Sequence, residues 1–403
     1  MKYGVNYTPR RGWFHSWLDL DLDEVREDFA QIRSLGLDHV RIFPLWPLLQ
    51  PNRTLIRSRA IDDVVAVARV AGEQGLRVSV DVLNGHLSSY DFVPSWLTSW
   101  HATDMFTDPR AIEGQRMLVH ELALALRDEP HVSGLTLGNE FTQFARADHP
   151  HASTASRGHT EAWLRTMFAE LHTTWPRGQH HHSFDDSLWF DDGLPFTPRQ
   201  ATIWGQATTV HSWTFVQAAP LLGANHPHLG WFARYLCEVA AAWSPAPERR
   251  IWLQEVGAPR PWTSDEAAAG FLRETIAAVA GMPQVTAITW WCSHDVSRDL
   301  ADFPELEYSL GLFTQDGEPK PEALALAEVI DAAPRAHIDE RPAMVVHADR
   351  KTGVGRSVTA PGGALFRRWC ELAEDGTFPA MVMADQAENA NLLDRRGISE
   401  LLD

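Results

Sequence analysis

The feature that most constrains this chain is an alternation of strand-like and helix-like runs. "YGVNY" (3–7) leads into "LDEVREDFAQIRSLG", whose apolar residues recur at helical spacing and which stops at Gly36. "HVRIF" (39–43) precedes a helical stretch over 58–74, and "RVSVDV" (77–82) precedes one near 109–128. "VSGLTLGNE" reads as the fourth strand, followed by a helix near 158–175. "QHHHSF" (179–184) and "TTVHSW" (208–213) supply the fifth and sixth strands, with the helix "LGWFARYLCEVAAAW" after them. "RIWLQEVG" (250–257) and "QVTAITWW" (284–291) complete the set, with helices "SDEAAAGFLRETIAAVAG", capped by Ser264, and "PEALALAEVIDAA" (321–333). Eight such units over roughly 330 residues predict an α/β fold of the (β/α)8 TIM barrel type. The barrel is expected over 1–335. Past it, "PAMVVHAD", "GALFRRWCELAEDG" and "PAMVMAD" read as strand, helix and strand, so 336–403 is expected to form a small α/β C-terminal appendage with a packing role.

Composition narrows the partners. A formal charge of −18 opposes binding to nucleic acid or an anionic membrane, both of which reward a positive face. No apolar run approaches the about 18 residues of a membrane span, and "MKYGVNYTPRRGW" lacks a signal-peptide core. Cys237, Cys292 and Cys370 are odd in number and far apart, which argues against a disulfide framework or a cysteine-based zinc site. A cytoplasmic location is the simplest expectation. The 17 tryptophans are unusual, and several stand beside turn and polar residues. An indole has a flat face for a pyranose and one N–H for its hydroxyl rim.

A barrel's active site lies at the C-terminal ends of its strands. The polar and aromatic residues there are Arg41, Asn84, His86, Asn139, Glu140, His211, Trp213, Glu255, Trp290 and Trp291. Glu140 and Glu255 end strands four and seven, across the mouth from one another. Such a pair suits glycosidic bond cleavage, in which one carboxylic acid protonates the leaving oxygen: a carboxylate about 5 Å away attacks the anomeric carbon with retention, and a wider pair leaves room for water and gives inversion. Charge on one raises the pKa of the other, which keeps the acid protonated. Asn139 can donate to the sugar's 2-hydroxyl, Arg41 can hold a carboxylate ionised, and Trp290 is expected inside as a platform under the ring, with Trp291 facing the helices. Trp96, Trp100 and Trp189, on long loops after strands three and five, are expected to close the cleft into a pocket.

These residues resemble glycoside hydrolase clan A, family five. "GVNYTPRRGWFHSWLD", "DHVRIFPLWPLLQPNRTLI", "NGHLSSYDFVPSWL" and "LTLGNEFTQF" look like the bacterial branch of intracellular β-mannosidases acting on Man-β-1,4-GlcNAc. The resemblance covers roughly residues 1 to 330. It implies Glu140 as acid/base and Glu255 as nucleophile, with Asn139, Arg41, His86, His211 and Trp290 around the reacting sugar. The wider family often has a Tyr two residues after the strand-six His, bonded to the nucleophile. Here the segment reads His211-Ser212-Trp213, and Trp213 can donate only through its indole N–H.

The expectation is a retaining exo-β-glycosidase, a β-mannosidase by resemblance, that takes a small oligosaccharide and needs no cofactor or metal. A homo-oligomer is left open. Endo action, or a β-glucosidase or β-galactosidase specificity, fits the same residues, since the choice of sugar turns on one axial hydroxyl. A non-catalytic sugar-binding barrel is the rival of another class. "HHHSFDD" (180–186) supports a zinc rival, with His180 and His182 sharing a face and Asp185 or Asp186 adding an oxygen.

Overall fold

The computed structural model describes residues 1–99, 103–150, 153–332 and 340–402. Eight parallel strands form one curved sheet: β1 (Lys2–Asn6), β2 (His39–Ile42), β3 (Arg77–Val82), β4 (Val132–Leu137), β5 (His181–His182), β6 (Thr208–Ser212), β7 (Ile251–Val256) and β8 (Val285–Trp290). Their order, β5-β4-β3-β2-β1-β8-β7-β6, is that of a barrel opened at the β5/β6 seam. Thr209 Oγ1 closes the seam by donating to His182 O at 2.6 Å, and Gln206 N–H donates to His180 O at 2.9 Å.

The outer layer comprises α1 (Leu22–Ser34), α2 (Ser58–Glu73), α3 (Pro109–Leu126), α4 (Arg157–Thr174), α5 (Pro198–Ile203), α6 (Phe232–Trp243), α7 (Asp265–Ala280) and α8 (Pro321–Ala332). α1 buries one apolar stripe that includes Val25, Phe29 and Ile32, whereas α6 is buried all round. Asp21 caps α1 by accepting from the N–H groups of Asp23 and Glu24, and Ser264 caps α7 as its sequence predicts.

Two expectations are corrected. The fifth strand, expected over 179–184, pairs only at His181 and His182, and beyond it Ser183 turns its hydroxyl to His211 inside the barrel. The appendage holds a third strand and a second helix beyond the expected strand, helix and strand. Parallel strands β9 (Arg341–Val346), β10 (Ala380–Met383) and β11 (Ile398–Leu402) form the sheet β10-β9-β11, with α9 (Ala364–Glu374) and α10 (Ala390–Arg395) beside it. The expected boundary at 335/336 lies outside the described residues.

The appendage is held by polar contacts that bury charge. Glu238, on α6, is fully buried and accepts from Arg234 on its own helix and from Arg341 and Arg396 of the appendage. Arg356 donates to the carbonyls of Leu188, Leu194 and Phe196, on the long loop after β5. No helix among the described residues is long and apolar enough to cross a membrane. The three cysteines are buried and free.

Candidate active site

The strand ends converge on one guanidinium. Arg41, in β2, is fully buried, and its Nε and Nη2 donate to the two oxygens of Asp81 on β3 at 2.8 and 2.6 Å. Nη1 donates to Glu255 Oε1 at 2.6 Å and Nη2 to Asn139 Oδ1 at 2.7 Å. A planar fork of this kind fixes the carboxylates and the carboxamide relative to one another. With its oxygen held by Arg41, Asn139 turns its NH2 the other way, toward His86 O at 3.2 Å.

Asn139 and Glu140 leave β4 through a left-handed turn. Gly138 has φ 71°, where a Cβ would collide with the Phe141 ring, and Glu140 itself has φ 44°. Only glycine takes such a conformation freely, so the strain at Glu140 is held by its surroundings. Its backbone N–H donates to Ser183 Oγ at 3.2 Å.

His211, from β6, stands between the two glutamates. Its Nδ1 lies 2.8 Å from Glu140 Oε1 and 3.3 Å from Glu255 Oε2. One ring nitrogen of His211 and one oxygen of each carboxylate all fall within 4.8 Å of one another. Carboxylate oxygens this close fit the about 5 Å spacing of a retaining pair. On its other side His211 Nε2 meets Gln254 Oε1 at 3.2 Å and Ser183 Oγ at 3.1 Å. A carbonyl oxygen only accepts, so Nε2 carries the hydrogen. Burial holds the His211 pKa down, so the imidazole is neutral and Nδ1 presents a lone pair. The partner able to donate to it is a protonated Glu140.

Burial pushes both carboxylates the same way, and hydrogen bonds distinguish them. Burial raises the pKa of Glu140, against the opposing charges of His86 and Arg41. Burial raises Glu255 as well, and the Arg41 cation opposes that. Only Glu255 has Arg41 in hydrogen-bond contact, and it also accepts from Trp213 Nε1 at 3.3 Å. The indole thus occupies the supporting place that the resemblance assigns to a Tyr.

The remaining expected residues divide. His86, on a short hairpin after β3, bonds Asp91 through Nδ1 at 2.9 Å and points Nε2 at Glu140 Oε2, 3.9 Å away. Burial disfavours its charged form, but Asp91 and Glu140 outweigh this and raise its pKa. Asn84 is fully buried; its backbone oxygen accepts from Trp46 N–H at 3.2 Å, while neither side-chain amide atom has a protein partner.

Trp290 is not the platform. It packs against Phe271 of α7 with ring centroids 6.3 Å apart, in the helical layer. Trp291 faces the mouth instead, edge-on to Trp213 at 6.2 Å and near Phe43 at 5.7 Å. Thr289 points inward, bonding His39 and Trp252 across the barrel, so alternation sends Trp290 out and Trp291 in. Trp96 is also corrected: its N–H donates to Gln50 O at 3.1 Å and its ring meets Trp46 edge-on, as a brace against α3. Trp189 is fully buried in the core and lines no cleft. Trp100 lies outside the described residues.

"HHHSFDD" is largely spent on structure. His180 Nε2 donates to Trp175 O at 2.9 Å and Nδ1 accepts from Leu135 N–H; His182 Nδ1 donates to Leu137 O at 2.6 Å. The cluster able to bracket an ion among the described residues is Glu140, His211 and Glu255, and the Arg41 guanidinium on Glu255 opposes a cation there.

Sequence reasoning missed Asp81, Ser183, Gln254 and Glu307. Asp81 and Ser79 alternate in "RVSVDV", a period-two polar signal for an inward face. Glu307 is buried on the loop after β8, accepts from Ser88 Oγ at 2.9 Å, and is pushed up to about 7 chiefly by burial. A lone Glu on a loop carries no pattern that would reveal it.

No protein-family model matches the chain, and no curated protein does. Solved structures do. GH5_18 from Streptomyces cattleya, in complex with Manβ1-4GlcNAc, is 46% identical with a TM-score of 0.96, and the match covers 100% of this chain and 98% of that one. GH5_18 from Bifidobacterium longum subsp. infantis is 43% identical with a TM-score of 0.97, covering 100% of this chain and 96% of the other. An exo-β-1,4-mannosidase from an Opitutaceae bacterium shares the fold at 21% identity and a TM-score of 0.77, over 96% of this chain and 70% of that one.

Proposed function

The chain belongs to glycoside hydrolase family 5, subfamily 18, and from that membership we propose that it is a retaining exo-β-mannosidase that splits Manβ1-4GlcNAc. The observation that carries the mechanism is the asymmetric glutamate pair, one carboxylate bonded to Arg41 and the other to the neutral His211.

Glu255, kept ionised by Arg41 and Trp213, attacks the anomeric carbon. Glu140 gives its proton to the leaving oxygen of GlcNAc as the glycosidic bond breaks. The resulting ester leaves Glu255 neutral, which removes its charge from Glu140. Glu140 then takes a proton from water as the water attacks the anomeric carbon, releasing β-mannose and restoring the Glu255 carboxylate. Asn139, its oxygen tied to Arg41, offers its NH2 to the 2-hydroxyl, where contact strengthens as the ring flattens. Trp291 is the platform.

Exo action is supported by a wall joining three loops. Phe14 (after β1) meets Phe92 (after β3) at 4.5 Å, Tyr90 meets Phe303 (after β8) at 4.9 Å, and Trp13 meets Phe303 at 5.4 Å. A mouth closed on that side accommodates one sugar beyond the scissile bond and not a polymer. The mannose and GlcNAc preference comes from the disaccharide bound by the Streptomyces cattleya relative. Three buried, unpaired cysteines fit a reducing cytoplasm.

The test is hydrolysis of p-nitrophenyl β-mannoside, β-glucoside and β-galactoside and of Manβ1-4GlcNAc, with NMR of the first-formed anomer. β-Mannose from the disaccharide, and loss of turnover in Glu140→Gln and Glu255→Gln, are expected, with activity unchanged after dialysis against EDTA. No turnover of any β-mannoside, inverted product, or full activity in both variants overturns the proposal.

A further inference from the structure

The opposite end of the barrel holds a cavity that the glycosidase reaction does not use. It opens where the strands begin and has a volume of about 510 Å³, within the range of small-molecule sites. Its rim carries Lys2, Arg33, Arg77 and Arg250 against a single carboxylate, Asp38. Asp38 is taken by Lys2 at 2.6 Å. The three arginines have no carboxylate partner among the described residues: Arg33 donates to Leu37 O, Arg77 to Ser133 Oγ, and the Arg250 guanidinium to no described group.

In a chain of formal charge −18, surface arginines commonly meet a carboxylate, as Arg26, Arg69 and Arg116 do. Gathering three that do not around one concave space focuses a positive potential there. The strand starts place the Arg77 and Arg250 backbones at the rim, and their exposed side chains are free to turn onto a guest.

The walls select a polar guest. Barrel interiors are ordinarily filled by layers of Val, Ile and Leu. Here Ser79 and Ala287 are small enough to leave the space open, and His181 is buried with its Nδ1 lacking any protein partner. Burial holds both His39 and His181 neutral, at about 4 and about 3, so they supply hydrogen bonds and no charge. The Trp252 ring adds an apolar surface, its N–H engaged at 2.7 Å by Thr289 Oγ1. Thr289 with His39 and Trp252, and above them Thr136 with Ser79 and Gln254, separate this space from the catalytic glutamates.

The geometry points to a second ligand site at the N-terminal mouth of the barrel, for a small polyhydroxylated phosphate such as a phosphorylated monosaccharide. The phosphoryl group meets the arginine rim and the hydroxyls meet Ser79, His181 and the neighbouring amides. This site is independent of the β-mannosidase reading.

Isothermal titration of the full chain with a hexose 6-phosphate, with inorganic phosphate and with the unphosphorylated hexose, at matched ionic strength, tests it. The hexose phosphate is expected to bind more tightly than inorganic phosphate, and the unphosphorylated hexose at least about tenfold more weakly. The exposed-residue variant Arg77→Ala/Arg250→Ala should weaken the hexose phosphate about tenfold or more with an unchanged melting temperature, while Glu140→Gln binds it as wild type does. Absence of saturable binding below about 10 mM, equal binding by wild type and the double arginine variant, or loss of binding in Glu140→Gln overturns the inference.

Discussion

Trp213→Phe isolates the one contact in which this site departs from the Tyr that its resemblance implies. The substitution keeps a smaller aromatic ring beside Trp291 and removes the N–H that reaches Glu255 Oε2 at 3.3 Å. A hydrogen bond to a charged acceptor contributes about 1.5–3 kcal/mol at good geometry. This one is at the long end of the distance range, and Glu255 keeps the shorter, charged bond from Arg41 at 2.6 Å, so about 1 kcal/mol is the reasonable loss. That corresponds to about a fivefold fall in kcat/KM, since a tenfold change takes about 1.4 kcal/mol. Losing a donor to the carboxylate form also raises its pKa, so the acidic limb of the kcat/KM profile should move up by about 0.7 pH unit. The assay is kcat/KM for an aryl β-mannoside against pH, with the melting temperature as control for the smaller ring. Trp213→Tyr, which keeps a donor, should lie closer to wild type. A Phe variant within about twofold of wild type with an unmoved acidic limb would show that the indole N–H gives the nucleophile no support.

Two further substitutions probe buried charge. Glu307 has a native pKa raised to about 7 by burial, so between its unfolded value and about 7 the native state holds a proton that the unfolded chain has lost. Stability therefore falls as pH rises through that window, and Glu307→Gln should gain on wild type by up to about 3 kcal/mol between pH 5 and pH 8. Parallel melting curves at the two pH values would contradict it. Glu238→Gln removes the carboxylate that Arg234, Arg341 and Arg396 surround, leaving buried cations unpaired at a cost of about 3–5 kcal/mol. Thermal unfolding should begin markedly earlier; a midpoint shift under about 1 °C would mean that the appendage is held by its apolar contacts alone.

The legible parts of this molecule are those where period and position speak together. The βα alternation gives the barrel, and Gly138 between an apolar strand and an Asn-Glu pair marks a turn at its mouth. Tryptophan misleads because an indole is both apolar and a donor, so its presence on a loop does not say which way it faces. Trp96 and Trp189 went to packing for this reason. Trp290 and Trp291 were not separable from the sequence: β8 carries Thr286 and Thr289 on opposite faces, and only the bonds of Thr289 to His39 and Trp252 show which face is inside. Ser183 was hidden because its role depends on a strand breaking off after two paired residues, which no local pattern announces.

The direction of the chemistry is set from β2. A guanidinium has five N–H donors, and Arg41 commits all five: Nε and one Nη2 hydrogen to Asp81, the other to Asn139, and the two on Nη1 to Glu255 and Asn6. None remains for Glu140. In the proposed mechanism, the glutamate given a cation acts as the carboxylate, and the one left to a neutral imidazole acts as the acid. Asp81 matters here although it touches no substrate: by occupying two donors on one edge of the fork, it turns the opposite edge toward Glu255. Exchanging the roles of the two glutamates would require re-aiming Arg41, which its full set of partners does not allow.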